Sequence, residues 1–284
     1  MDYGLVTVDY ENFLRECHLI DVQKHMINPT NKIMDVCEEY NIPVTFFCNM
    51  PEVLAFKREN HPDFSKIEKQ LWDMVCRGHD IQMHFHPQWE NFKWENGIWK
   101  NHSSIDFWAD EMNFEDFENS FKAGIEYARQ FSDKVVAFRG GGYLIEPLST
   151  NIPVLEKYGL SLDSSVTKSM PQRCIFSQQI MKNNDNEIPP HVFNLSSKIK
   201  EIPICSLGQQ RWDMSSGRIA DISIISQMMK RYSHKSKDCF YVMMGHNKQK
   251  IFFNELKSTF SGVVKGLKFI TFAEASRILG KAPI

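Results

Sequence analysis

Short β-rich runs alternate along this chain with segments of helical periodicity, and that alternation constrains the fold more than any other feature. Parallel strands joined by crossover helices are the arrangement that buries both kinds of segment. The strand runs are residues 4–9, 43–49, 81–86, 135–140, 160–165, 200–205, 240–246 and 268–272. About eight runs is near the number that closes a barrel. Helical periodicity falls at 30–40, 62–76, 114–131, 152–158, 219–232, 251–264 and 273–279. In the first of these, Ile33, Met34, Val36 and Cys37 share one face behind Thr30 as N-cap. Gly78 and Gly159 stand as helix stop signals.

No internal repeat and no low-complexity linker divides the 284 residues, so one domain spanning 1–284 is expected. Two long insertions read as irregular, at about 87–112 and 168–197. The first holds four of the six tryptophans (Trp89, Trp94, Trp99, Trp108), together with Phe92 and Phe107, too dense an aromatic set for disorder.

Composition excludes several partners. Lys+Arg 33 against Asp+Glu 35 leaves a net charge of −2, so no broad basic field exists to bind nucleic acid or an anionic membrane. No apolar run approaches the roughly 20 residues of a membrane span. The first residues show no basic-then-apolar export signal, and a cytoplasmic location is expected. The seven cysteines (Cys17, Cys37, Cys48, Cys76, Cys174, Cys205, Cys239) never form C-x-x-C, which disfavours a disulfide framework and a cysteine zinc site. Cys48, Cys205 and Cys239 sit in apolar runs as small core residues.

In a parallel α/β barrel the functional groups lie at the C-terminal ends of strands. Here those ends carry Asp9 and Glu11, His84 and His86, Arg139 before three glycines and Tyr143, then Asp163, and finally His246 followed by Lys248. Residues two apart on a strand share a face, so Asp9 pairs with Glu11 and His84 with His86. Two carboxylates and two imidazoles are donor types that a divalent metal such as zinc accepts. His79, about 16 Å back along an extended strand from His84, belongs to the other end of the barrel.

These segments resemble the polysaccharide deacetylases of carbohydrate esterase family four, the nodulation-type deacetylase group. GLVTVDYE (4–11) resembles the family's T-F-D-D motif, IPVTFFC (42–48) its second strand, and GHDIQMHFHPQW (78–89) its histidine motif. AFRGGGY (137–143) resembles the arginine motif, YGLSLDSSV (158–166) the segment before the fourth motif, and VMMGHNK (242–248) the last histidine motif. The resemblance runs in order through most of the chain and implies an irregular (β/α)7-8 barrel, a distorted TIM barrel.

Carried over by position, it implies Asp9 as general base, Arg139 as the residue that orients it, His246 as general acid and His84 as a metal ligand. The family's second aspartate falls on Tyr10 and its other histidine on Gln88. Tyr10 cannot replace a carboxylate ligand, so Glu11 is the candidate for that role, and the role of the other histidine is assigned to His86. Asp163 would support His246 or Arg139.

The activity implied is metal-dependent removal of an N-acetyl group from an amino sugar, with zinc as cofactor, during assembly of a surface polysaccharide such as O-antigen or capsule. The substrate would be an N-acetylated carbohydrate, nucleotide- or lipid-linked. Trp89, Trp94 and Trp99 would stack on sugar rings or pack the insertion onto the barrel. Tyr143 would touch substrate, and Lys248 would meet a phosphate or stay solvated. Hydrolysis of another linear amide, such as an N-formyl sugar, and a non-catalytic carbohydrate-binding relative are the alternatives.

Overall fold

A computed structural model describes residues 1–12, 20–102, 108–168, 174–184, 187–207, 210–214, 220–233, 238–262 and 264–281. Cys17, Phe107 and Pro171 lie outside the described residues. All eight expected strands are present: β1 (Asp2–Tyr10), β2 (Val44–Asn49), β3 (Asp80–Phe85), then β6 (Ala137–Gly140), β7 (Leu162–Asp163), β9 (Lys200–Glu201), β12 (Cys239–Met243) and β13 (Lys268–Phe269). Between β3 and β6 a hairpin adds β4 (Phe92–Glu95) and β5 (Ile98–Asn101). Beyond β7 come the short β8 (Phe193–Asn194), β10 (Ser206–Leu207) and β11 (Gln210–Arg211).

The principal sheet runs β12-β1-β2-β3-β6-β7-β9-β8 and is parallel except at β8, with β13 added beside the start of β1. It curls into an irregular (β/α)7-8 barrel. No continuous ladder joins β9 to β12 among the described residues; single backbone bridges span that gap instead. Ile188 pairs with Ser206, the Phe240 amide donates to Pro190 O at 2.8 Å, and Asp213 pairs with Met244.

Helices α1 (Asn28–Glu38), α2 (Met50–Arg58), α3 (Phe64–Cys76), α4 (Phe114–Ala128), α5 (Leu148–Lys157), α6 (Ile175–Asn183), α7 (Ala220–Tyr232), α8 (Phe253–Ser261) and α9 (Phe272–Lys281) complete the chain. Asn113 caps α4 by accepting from the Asp116 amide. The expected stops after α3 and α5 are real: Gly78 and Gly159 have φ of +84° and +76°, which residues with a Cβ rarely adopt. Helix α2 is absent from the sequence reading, although Pro51 in its first turn is a start signal.

The strands are buried on both faces, and period two divides their residues. Val6, Val8 and Tyr10 of β1, with Ile81, Met83 and Phe85 of β3, join the large apolar cluster under the helices. Leu5, Phe47, Ala137, Val242 and Met244 form a second cluster inside the barrel. Polar residues continue that interior column toward the C-terminal ends of the strands. No helix among the described residues is long and apolar enough to cross a membrane. Six described cysteines are free, five of them buried, Cys48, Cys205 and Cys239 among these.

The two insertions are more regular than expected. The first contains a 3-10 turn (Pro87–Asn91) and the β4–β5 hairpin; the second contains α6 and β8. Residues 103–107, 169–173 and 185–186 within them lie outside the described residues.

Candidate metal and acid-base centre

Parallel register assembles the site in a row. Asp9 bridges to His246, Asn49 pairs with His84, and His84 pairs with Arg139. The β1 alternation turns Asp9 inward and Tyr10 outward, where the Tyr10 hydroxyl donates to Gln70 Oε1 at 2.9 Å. Glu11 then points inward again. His86 lies just past β3 with an extended backbone (φ −122°, ψ 112°), so it stays on the face of His84.

Glu11, His84 and His86 offer one donor atom each within 4.8 Å of one another, and all three are buried. Glu11 Oε2 lies 3.0 Å from His86 Nε2 and 3.6 Å from His84 Nε2. His84 Nδ1 sits 2.8 Å from the Arg139 carbonyl and must donate to it, so in the neutral ring, the form that binds a metal, the Nε2 lone pair faces Glu11. Neither His84 Nε2 nor Glu11 Oε2 makes a hydrogen bond among the described residues, though both atoms are buried. A buried carboxylate oxygen with two imidazole Nε2 atoms 3.0 and 3.6 Å away is a donor set that fits a divalent cation. The second Glu11 oxygen is already engaged, 2.8 Å from Lys248 Nζ.

Asp9 stands beside this set. Burial works against its charge, but the Arg139 guanidinium, then His84 and His246, outweigh it and hold the carboxyl below its ordinary range. Arg139 Nη1 donates to Asp9 Oδ1 at 2.7 Å. The guanidinium is itself fixed by Thr7 Oγ1, Ser164 O and Ser164 Oγ, and lies 4.0 Å over the Phe47 ring. His246 Nε2 is 3.6 Å from both Asp9 Oδ2 and Glu11 Oε1. Burial lowers its pKa, with Asp9 and Glu11 partly restoring it. For Glu11, burial is more than offset by Lys248 and His86, and its carboxyl lies well below the usual range.

The remaining candidates divide. Tyr143 sits edge-on to His246 at 6.5 Å, with φ +62° and the Arg211 guanidinium 4.9 Å over its ring. Asp163 does not touch His246 directly. It accepts from the Ser165 amide and hydroxyl at 2.9 Å, and Ser165 Oγ in turn accepts from the Gly140 amide, so it braces the strand that carries Arg139. Burial, and then the Asp163 charge, push the adjoining Glu201 carboxyl well above its usual range. Lys248 is neither solvated nor open to a phosphate: it is 12% exposed and donates to Glu11 and the Asn12 carbonyl.

Trp89 and Trp99 do not face a cleft. They are 0% and 4% exposed, packed on Phe56 of α2 and, for Trp99, stacked 5.6 Å from His61. Trp94 is half-buried edge-on to the same His61. Arg58 donates to the carbonyls of Trp89 and Phe92, clamping the hairpin to α2. Burial of large rings explains this insertion better than sugar stacking. His79 lies at the opposite end of β3, accepting from the Val44 amide beside Glu38.

Several site residues escaped the sequence reading. Asn247 Oδ1 accepts from the Glu11 amide at 2.9 Å, Asn49 Oδ1 accepts from the His86 amide at 3.1 Å, and buried Glu52 accepts from Asn12 and Asn49. The spacing Asn49-x-x-Glu52 was the available signal, since it matches a helix-start pattern.

No protein-family model matches the sequence, and no curated protein is significantly similar to it. Solved structures do match. A Mycobacterium smegmatis protein assigned as a polysaccharide deacetylase superimposes with TM-score 0.59 at 13% identity, over 99% of this chain and 92% of that one. A Pseudomonas aeruginosa PAO1 protein with the same assignment gives 0.55 at 11%, over 100% and 92%. PuuE allantoinase gives 0.55 at 12%, over 100% and 91%. At such identities the likeness establishes a fold, and that fold is the barrel of the polysaccharide deacetylases.

Proposed function

We propose that the chain is a metal-dependent hydrolase that removes the N-acetyl group from an amino sugar. The observation that carries this reading is the juxtaposition of a buried Glu11–His84–His86 donor set with an ionised, arginine-held Asp9 and with His246. When bound by that set, a divalent cation, zinc by donor type, supplies Lewis acidity toward an amide carbonyl and acidifies water.

The chain's own groups supply the rest. Arg139 occupies Asp9 Oδ1, so Oδ2 is the oxygen left to take a proton from water as its oxygen attacks the acetyl carbon. His246, whose Nε2 lies 3.6 Å from Asp9 Oδ2, delivers a proton as imidazolium from Nε2 to the amine as the C–N bond breaks, giving acetate and a free amino sugar. Tyr143 and Arg211 form the wall beside His246. Biosynthesis of O-antigen or capsule in the cytoplasm, on a nucleotide- or lipid-linked sugar, is the setting consistent with the resemblance.

A second reading is hydrolysis of another amide, such as an N-formyl sugar. The shared fold of an allantoinase favours it, because the architecture is not tied to acetyl groups.

The test combines metal counting with acetate and formate release from N-acylated sugars by the full chain. About one metal per chain, its loss in His84→Ala, its retention in Asp9→Asn and acetate release abolished in both would support the reading. Metal-free wild-type protein after loading and desalting would refute it, and formate release alone would select the second reading.

A further inference from the structure

Beneath the cation donors lies a buried polar layer with Glu52 at its centre. Glu52 stands in the first turn of α2 and is 1% exposed. Its Oε1 accepts from Asn12 Nδ2 at 2.7 Å and its two oxygens share the Asn12 amide at 3.2 Å, while Oε2 accepts from Asn49 Nδ2 at 3.2 Å. Among the described residues no lysine or arginine pairs with it. Asn12 directly follows Glu11, and Asn49 Oδ1 holds the His86 amide. One carboxylate therefore anchors the main chain on both sides of the donor set.

Two local rules are broken to build this layer. A buried carboxylate without a cationic partner is costly, and an apolar residue would fill the position more cheaply. Asn49 is also the N-cap of α2, yet its side chain makes no cap hydrogen bond because its oxygen serves His86 instead. Where a fold gives up local stability at adjoining positions, the compensation lies in function.

We propose that Glu52 is a positioning residue for the cation site, fixing Asn12 and Asn49 so that the Glu11 carboxylate and the His86 ring meet beside His84. The inference rests on the reading of Glu11, His84 and His86 as cation donors. Second-layer partners of this type change metal affinity by about 10- to 100-fold when removed.

The experiment is titration of the metal-free full chain with Co²⁺ alone, following affinity and the visible absorption that reports coordination geometry. Wild type, Glu52→Gln, Glu52→Leu, Asn49→Leu and His84→Ala are compared, with near-ultraviolet circular dichroism to establish folding. Glu52→Leu is expected to bind Co²⁺ about 10- to 100-fold more weakly and with an altered spectrum. Glu52→Gln, which keeps one acceptor oxygen, should fall between it and wild type. Wild-type affinity and spectrum in folded Glu52→Leu, even with lowered thermal stability, would overturn the proposal and make Glu52 purely structural. If Glu52→Leu does not fold, Asn49→Leu decides in the same way, because it removes the tether to His86 together with one of the hydrogen bonds to Glu52 while leaving the Glu52–Asn12 contacts in place. Absence of stoichiometric Co²⁺ in wild type would instead refute the donor set itself, and His84→Ala marks that outcome.

Discussion

Arg139 and Asp9, 130 residues apart in sequence, form an ion pair of 2.7 Å whose side chains are 0% and 2% exposed. Removing one partner of such a pair strands the other charge, at a cost of about 3–5 kcal/mol. The pH dependence follows from the sign of the shift. Asp9 has its folded pKa depressed, so its contribution to stability is present above the ordinary carboxylate range and is lost as pH falls through the folded value. In Arg139→Met the strongest of the groups that offset burial is gone, leaving only His84 and His246 against it, and that pKa rises. The destabilisation relative to wild type should therefore be larger at pH 7 than at pH 4, where Asp9 can be protonated. Urea unfolding at both pH values measures it, and equal losses would show that Asp9 is not stabilised electrostatically.

Lys248 shares Glu11 with the proposed cation, because its ammonium lies on Oε1 while Oε2 faces the two histidines. At an effective dielectric of about 20, unit charges about 4 Å apart interact by about 4 kcal/mol. Even after relaxation, Lys248→Met should strengthen divalent metal binding about tenfold. Competition with a chromogenic chelator would measure this. Weaker binding in the variant would mean that Lys248 serves chiefly to orient the carboxylate.

How legible was this site? Period two in β1 and β3 made Asp9 with Glu11, and His84 with His86, readable as pairs. Parallel pairing then brought Arg139 and His246 to the same level, which is why residues from four strands were recognisable without coordinates. Tyr10 illustrates the same rule, since alternation sends it under α3 while Glu11 returns to the interior. What stayed hidden depends on side-chain paths and not on periodicity. A lysine two residues past His246 reads as a loop charge until its chain is seen folding back onto Glu11. Glu52 lies in a helix that the periodicity did not disclose, and its hydrogen bond from Asn12 joins residues forty apart. The closure through Ile188 and Asp213 rests on single bridges that leave no alternating pattern.

Trp99 tests whether the aromatic insertion packs or binds. Its ring is 4% exposed and touches Phe56, His61, Trp89, Phe92 and Trp94. Truncation of a ring so enclosed removes its burial and leaves a cavity, a loss of about 3–5 kcal/mol. Trp99→Ala should therefore lower the unfolding midpoint strongly while leaving the KM for an N-acetylated sugar unchanged at a temperature where the variant is folded. A raised KM without lost stability would return Trp99 to the substrate site.

Gln88 presents the opposite case. The amide is 1% exposed, two residues beyond His86, and neither Oε1 nor Nε2 has a hydrogen-bond partner among the described residues. An unpaired buried polar group costs about 1–3 kcal/mol, and an apolar side chain of similar size avoids that cost. Gln88→Leu should raise the unfolding midpoint of the metal-free protein by a few degrees. Because Glu11, His84 and His86 already supply three donors, Co²⁺ affinity should not change. If instead the variant were more stable but bound Co²⁺ at least tenfold more weakly, the Gln88 carbonyl would be a fourth ligand.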